Sequence, residues 1–230
     1  MDISYNRITL LIKKFMKIIL TGATGYVGEG VLMECLSNPK IEKILSISRK
    51  PCGHQHSKLE EYIVPNMLEL KEDDIHLKGY DAVFFCAGIS SVGLTEEEFR
   101  PISYDIPLHL ANILPDKQNI TYIYVSGAGT KADSNIMWAK VKGACENTLF
   151  SMPFKGAFGF RPALMKPVKG QLHKKKADKV MAFVYPLARL LCFGNTLKEV
   201  AKAMIAVSEN GYKKKTIDVV DIIKLARSSS

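Results

Sequence analysis

The stretch KIILTGATGYVGEG, Lys17 to Gly30, decides how this chain folds. Its apolar first half reads as a buried strand. The strand runs straight into glycines at 22, 25 and 28, in the spacing G-x-x-G-x-x-G. Gly22 permits a tight turn, Gly25 lets the backbone approach a pyrophosphate, and Gly28 lets the following helix pack close to the strand. The amides at that helix N-terminus then face the negative charge. Thr24, Tyr26 and Val27 belong to the same turn and count with it as cofactor-binding positions. A glycine triplet alone is a weak signal, and its bland use is packing. Behind a strand and ahead of a helix it has the context that a dinucleotide site requires.

Working outward, five apolar runs read as short strands: KIILTG (17–22), KILSIS (43–48), EYIVP (61–65), DAVFFCAG (81–88) and ITYIYVSG (120–127). A sixth, KGAFGFRP (155–162), is interrupted by glycines. The runs are nearly continuous in apolar residues, as expected of parallel strands covered on both faces. Between the first two, Val27, Val31, Leu32 and Leu36 fall at helical spacing. The β-α-β-α alternation predicts an α/β fold: a doubly wound parallel sheet of Rossmann type with right-handed crossovers. Residues 16–230 are expected to form one domain, with small C-terminal lid elements from about residue 163. Met16 stands directly before the first strand, so residues 1–15 read as an N-terminal extension.

Composition excludes several classes. A chain of 230 residues, 47% hydrophobic, can bury a sizeable core. Its apolar stretches are broken well short of the roughly 20 residues a membrane span needs. No small-residue cleavage site follows the N-terminal run. The five cysteines are scattered, odd in number and without metal-ligand spacing, which predicts a reducing, cytoplasmic setting. The five histidines form no ligand set either, His54-x-His56 lacking a third partner, and no metal is expected. Much of the lysine behind the net charge of +9 lies in VKGQLHKKKADK (168–179) and GYKKKT (211–216), read as solvated stretches. No aromatic-interleaved basic stripe points to nucleic acid. The expected partner is a small-molecule substrate, a membrane surface is not favoured, and the chain is read as a monomer or homodimer.

The end of the second strand speaks to which dinucleotide binds. An NAD site usually places an acid about 20 residues beyond the glycines, on the ribose 2′-hydroxyl. Here the sequence reads SISRKP, with Arg49 and Lys50 and no carboxylate. An acid would repel a 2′-phosphate, whereas a guanidinium can pair with it bidentately. NADP is therefore expected ahead of NAD; otherwise the two cations merely decorate a loop.

TGATGYVG (21–28), FFCAG (84–88), YVSGAG (124–129), Lys142 through Glu146 and RPALMKP (161–167) together resemble the atypical short-chain dehydrogenase/reductases. That group shares the NAD(P)-binding fold of the sugar epimerases and dehydratases. The likeness covers about residues 16–210 and is much less specific for a reaction than for the fold. It implies that Asn66 and Met67 flank the adenine and that Cys86, Ala87 and Gly88 line the central part of the cofactor. It also places Pro162 and Ala163 near the nicotinamide.

The family's catalytic helix carries Tyr-x-x-x-Lys, with a serine at the end of the preceding strand. The matching residues here are Ser126, Trp138 and Lys142. By the resemblance, Lys142 bonds the nicotinamide ribose and Ser126 positions the substrate oxygen. Trp138, the only tryptophan, stands where the proton donor belongs. An indole N–H cannot cycle a proton near neutral pH. Three readings remain: an oxidoreductase or epimerase-like enzyme on a small carbonyl or hydroxyl substrate, taking its proton from Ser126, water, Tyr104 or Tyr124; a catalytically degenerate NADP(H)-binding sensor or scaffold; or a core tryptophan on a misplaced helix. Finally, in KVMAFVYPLARLLCFG (179–194), Met181, Val184, Leu187, Leu190 and Leu191 share a helical face expected to close over the cleft, bent or interrupted at Pro186.

Overall fold

A computed structural model describes residues 15–173, 185–191 and 193–228. Residues 1–14 of the expected N-terminal extension therefore lie outside the described residues, as do Met181 and Val184.

The strands are β1 (Met16–Thr21), β2 (Ile41–Ser48), β3 (Leu59–Ile63), β4 (Ala82–Phe85), β5 (Thr121–Val125), β6 (Gly156–Arg161), β7 (Leu164–Lys166), β8 (Gly194–Thr196) and β9 (Thr216–Asp218). Helices α1 (Tyr26–Ser37), α2 (Glu96–Arg100), α3 (Ile106–Ile113), α4 (Met137–Ser151), α5 (Leu197–Asn210) and α6 (Val219–Ser228) accompany them. Seven strands form one sheet in the order β3-β2-β1-β4-β5-β6-β9. Every pairing in it is parallel, Ile18 standing between Ile44 and Ala82. The strand order reverses between β1 and β4, which opens a crevice at the carboxyl ends of those strands.

Successive residues of a strand point to opposite faces. Ile18, Leu20, Phe84, Ile123 and Phe160 face one core, where Val31, Leu32, Val200 and Met204 of α1 and α5 cover them. Ile19, Leu45, Val83, Phe85, Tyr122 and Tyr124 face the other, with Leu110 of α3 and Leu149 of α4. Both faces are dry, which is why the strands read as continuous apolar runs. The doubly wound α/β fold expected from the sequence is the fold observed.

The departures are local. β3 lies two residues earlier than expected and is half exposed, because it is the sheet edge. β7, β8 and β9 were not anticipated: three residues each, they are too short to show a period. The glycines interrupting β6 have a packing cause, since a side chain on Gly159 would overlap the Glu146 carboxylate. In the helical stretch 185–190, Leu187 and Leu190 are 61% and 79% exposed, and Leu191 just beyond is 62% exposed. The expected apolar seal over the cleft is thus not formed by these three leucines. Among the described residues no helix is long and apolar enough to cross a membrane.

Candidate functional site

The glycine turn is built by close approach. Gly22 has φ +76°, and a Cβ there would stand 2.7 Å from the Ala87 nitrogen. A Cβ on Gly28 would overlap the Gly22 carbonyl, so only glycine lets α1 start so near β1. Gly25 is the N-cap of α1 and offers no side-chain cap. The first amides of that helix are therefore not covered by a capping side chain and suit an anion.

From this turn a cleft of about 350 Å³ runs across the strand ends, lined by Gly22, Thr24, Gly25, Arg49, Asn66, Met67, Cys86, Ala87 and Gly88 among others. Nine of the residues read from the sequence as cofactor-binding thus face one cavity. Ile102 and Ile106, from a π-helical turn (Pro101–Asp105) and the start of α3, complete its wall. Arg49 is exposed at the rim. Asn66 caps a short 3₁₀ turn, its side chain accepting from the Leu68 amide at 3.1 Å.

The remaining cofactor-binding candidates do not line that cavity. Tyr26 donates its hydroxyl to the Met165 carbonyl at 2.6 Å, tying α1 to β7. Val27 packs into the core, and Gly28 is buried in the turn. Lys50 is exposed and its carbonyl accepts the Ser48 hydroxyl. Pro162 is buried, its carbonyl accepting the Ala128 amide at 3.0 Å, and Ala163 follows it.

The catalytic candidates sit further along the same edge, around β5 and α4. Trp138 and Lys142 do lie one turn apart on a helix. Trp138 is half-buried and rests on the loop after β5, 3.9 and 3.7 Å from where a Cβ would stand on Gly127 and Gly129. It is therefore not a core aromatic. Lys142 Nζ donates to the Ser126 carbonyl at 2.8 Å and the Val125 carbonyl at 3.3 Å. Burial lowers its pKa from the ordinary 10.5 to about 8, against the partial opposition of Cys145 and Glu146.

Ser126 is where sequence and structure part. Its hydroxyl points into the interior, 2.6 Å from Glu146 Oε1 and 3.1 Å from the Phe160 carbonyl. Glu146 is 1% exposed and also accepts from Arg161 through Nε at 3.2 Å and Nη2 at 2.5 Å. A buried carboxylate needs such partners, and Ser126 is one of them. The tyrosines fare no better as donors: Tyr124 gives its hydroxyl to the Ser103 carbonyl at 2.7 Å, and Tyr104 lies 3.5 Å from Thr148.

A second buried acid escaped the sequence reading. Glu29 in α1 is fully buried. It accepts from the amides of Leu172 at 2.5 Å and His173 at 2.7 Å, with His54 Nε2 at 2.8 Å. Burial pushes its carboxyl up, but these hydrogen bonds outweigh it and leave the pKa below the ordinary value. The signal in the sequence was an acid inside the glycine-rich YVGEGVL helix, a place with no solvent face. His54 is thereby an acid's partner, and among the described residues no three metal-binding side chains converge.

No family model matches the chain. It is similar to curated fungal proteins. One is "Protein FMP52, mitochondrial" from Eremothecium gossypii, 21% identical, with 94% of this chain and 99% of that protein covered. Another is "Protein fmp52-1, mitochondrial" from Aspergillus terreus, 25% identical over 64% of this chain and 66% of that one. Among solved structures, Helicobacter pylori ADP-L-glycero-D-manno-heptose-6-epimerase superposes with a TM-score of 0.65 at 15% identity, covering 94% and 82% of the two chains. Bacillus cereus UDP-glucuronic acid 4-epimerase, solved with NAD, gives 0.61 at 15% over 91% and 81%. The chain thus has the epimerase-like Rossmann fold of these solved structures. Its homologues are FMP52 mitochondrial proteins. That finding overturns the cytoplasmic setting expected from the cysteines. A scattered, odd cysteine set reports only the lack of a disulfide framework, which does not single out one compartment.

Proposed function

We propose that this protein is a mitochondrial NADP(H)-binding reductase-type protein whose partner is a small carbonyl or hydroxyl compound. The observation that supports it is the single cleft in which the glycine turn, Arg49 and Cys86–Gly88 meet. The fit is physical: Gly22 and Gly28 leave no room for a Cβ, the α1 amides have no capping side chain, and no acid follows β2 to repel a 2′-phosphate. Bound there, NADP(H) would supply or accept a hydride. Gly22, Thr24 and Gly25 hold the pyrophosphate, Arg49 the 2′-phosphate, and Asn66 and Met67 the adenine. The resemblance would add Lys142 on the ribose, although its Nζ donates to the Val125 and Ser126 carbonyls and it does not line the cleft. The mitochondrial setting rests on the homologues' names.

A second reading, a binding sensor without turnover, is favoured by one specific observation. Ser126 and Tyr124 give their hydroxyls to groups of the fold, Tyr104 sits beside Thr148, and Trp138 replaces the usual acid. In the first reading water supplies the proton. Fluorescence titration with NADPH and NADH, run beside an NADPH-consumption screen over aldehydes, ketones and quinones, separates the two. Turnover supports the enzyme, tight binding without turnover the sensor, and no binding of either nucleotide sinks both.

A further inference from the structure

The helical stretch after β4 carries two prolines in its interior. α2, the turn Pro101–Asp105 and α3 follow one another directly, and Arg100, Pro101, Asp105 and Ile106 all keep right-handed helical angles. The turn is π-helical: the Ile106 amide donates to the Pro101 carbonyl, five residues back. The second proline supplies a cause. In a regular α-helix the Ser103 carbonyl would meet the ring of Pro107 and find no amide there. A wider turn relieves that clash, and π-turns of this kind recur at functional sites. The carbonyl finds its donor on another element. Tyr124 of β5 gives it a hydroxyl at 2.7 Å, in the interior.

The effect of the turn shows in the cleft. Ile102, inside it, and Ile106, directly after it, both line the cavity of the glycine turn. One inserted residue rotates everything beyond it by about 100° around the helix axis, so the turn decides which side chains α3 shows to that cavity. α3 packs on the 3₁₀ turn Met67–Glu69, and His109 Nε2 stands 3.0 Å from the Leu70 carbonyl. The isoleucine wall therefore adjoins the Met67 end of the cleft. Tyr124 is buried with its ring beside Phe85 and does not itself line the cavity. It can reach a ligand only through the turn. Tyr122, on the same strand, offers a matched comparison: its buried hydroxyl donates to the Pro107 carbonyl at 2.8 Å, past the turn.

We propose that Tyr124 is a positioning residue for the nucleotide. By holding the Ser103 carbonyl that Pro107 leaves without an amide, it fixes the π-turn so that Ile102 and Ile106 wall the adenine end of the cleft. This rests on the reading of the cleft as an NADP(H) site with the adenine at Asn66 and Met67.

Tyr124→Phe keeps the buried ring and removes only the hydroxyl. Isoleucine methyl NMR of the full chain without nucleotide reads the wall first. The Ile102 and Ile106 signals should move in Tyr124→Phe and stay in place in Tyr122→Phe. Binding is then measured by calorimetry with NADPH and with 2′,5′-ADP, which carries the adenine and the 2′-phosphate but no nicotinamide. Tyr124→Phe should weaken both ligands by the same factor, about five- to tenfold, while Tyr122→Phe stays within about twofold of wild type. Ile102→Ala should weaken both as well, and adding Tyr124→Phe to it should cost less than Tyr124→Phe costs alone. Equal losses in the two phenylalanine variants overturn the proposal, because a general loosening of the helix would do the same. So do unmoved isoleucine signals, or losses that simply multiply in the double variant. Should wild type bind neither ligand, the cofactor reading falls and the nucleotide role with it, while the methyl signals still decide whether Tyr124 holds the turn.

Discussion

Along one edge of the sheet, β1, β2 and β4 present the glycine turn, Arg49 and the Cys86–Gly88 backbone to an open cleft. On the next two strands, β5 and β6 turn Ser126 and Arg161 inward onto Glu146. The first region leaves its polar groups open to the cleft; the second uses them to hold the fold. On the proposed reading, nucleotide binding and proton transfer are therefore separable in this architecture. Binding draws on backbone amides that glycine spacing guarantees, while proton transfer depends on side chains that packing can recruit.

The contrast is broken most directly by Trp138→Tyr. With Lys142 one turn away, a restored hydroxyl should raise reductase turnover by about 10²–10⁴-fold. No change in NADPH consumption would mean that the inward-facing Ser126, and not the tryptophan, limits the site. Next in size, Gly28→Val drives a side chain into the Gly22 carbonyl and should cost about a hundredfold in NADPH affinity. Thermal melting of the same variant separates lost binding from lost folding.

Arg49→Ala should weaken NADPH about ten- to hundredfold and leave NADH unchanged, as loss of a charged hydrogen-bond partner predicts. Equal losses for both nucleotides would remove Arg49 from the 2′-phosphate. Ser126→Ala should lower stability by about 1–3 kcal/mol, because Glu146 loses a donor while buried. NADPH affinity should not move, and calorimetry beside melting would catch the reverse.

The smallest effect concerns pH. The folded pKa of Lys142, about 8, lies below the ordinary 10.5, so between those values the unfolded chain binds more protons and this residue's contribution to stability rises with pH. Below about 8 both states are charged, and the desolvation cost is fully present. Lys142→Met should therefore gain on wild type below about pH 8 and lose that advantage toward pH 10, as paired melting curves across that range would show.

The fold was legible because strand runs, glycine spacing and crossover helices all carry long, repeated signals. The α4 register was legible through the resemblance, since Lys142-Gly143 and Glu146 fall where the family's K-G-x-x-E-type stretch falls. What Ser126 does was not legible. A serine at the end of a strand reads the same whether it faces a cleft or a buried carboxylate, and the residues that decide, Glu146 and Arg161, come from elements 20 and 35 positions later in the chain. β7, β8 and β9 escaped for a different reason. Three-residue strands carry no period; β9 is added to β6 at the edge of the main sheet, while β7 and β8 pair only with each other in a separate two-stranded sheet.

Glu29 carries a consequence for the making of the protein. Its carboxylate is buried within the first crossover helix, yet two of its hydrogen-bond donors, the amides of Leu172 and His173, lie 143 and 144 residues downstream. While the chain is being synthesised, α1 can dock on β1 and β2 long before those amides exist. Until they emerge, the docked helix must either shelter an under-satisfied charge or stay partly wet around it. The cofactor turn at the head of the same helix should therefore reach its final rigidity late, after most of the chain has left the ribosome. Truncations ending before residue 170 should collapse without gaining firm nucleotide affinity.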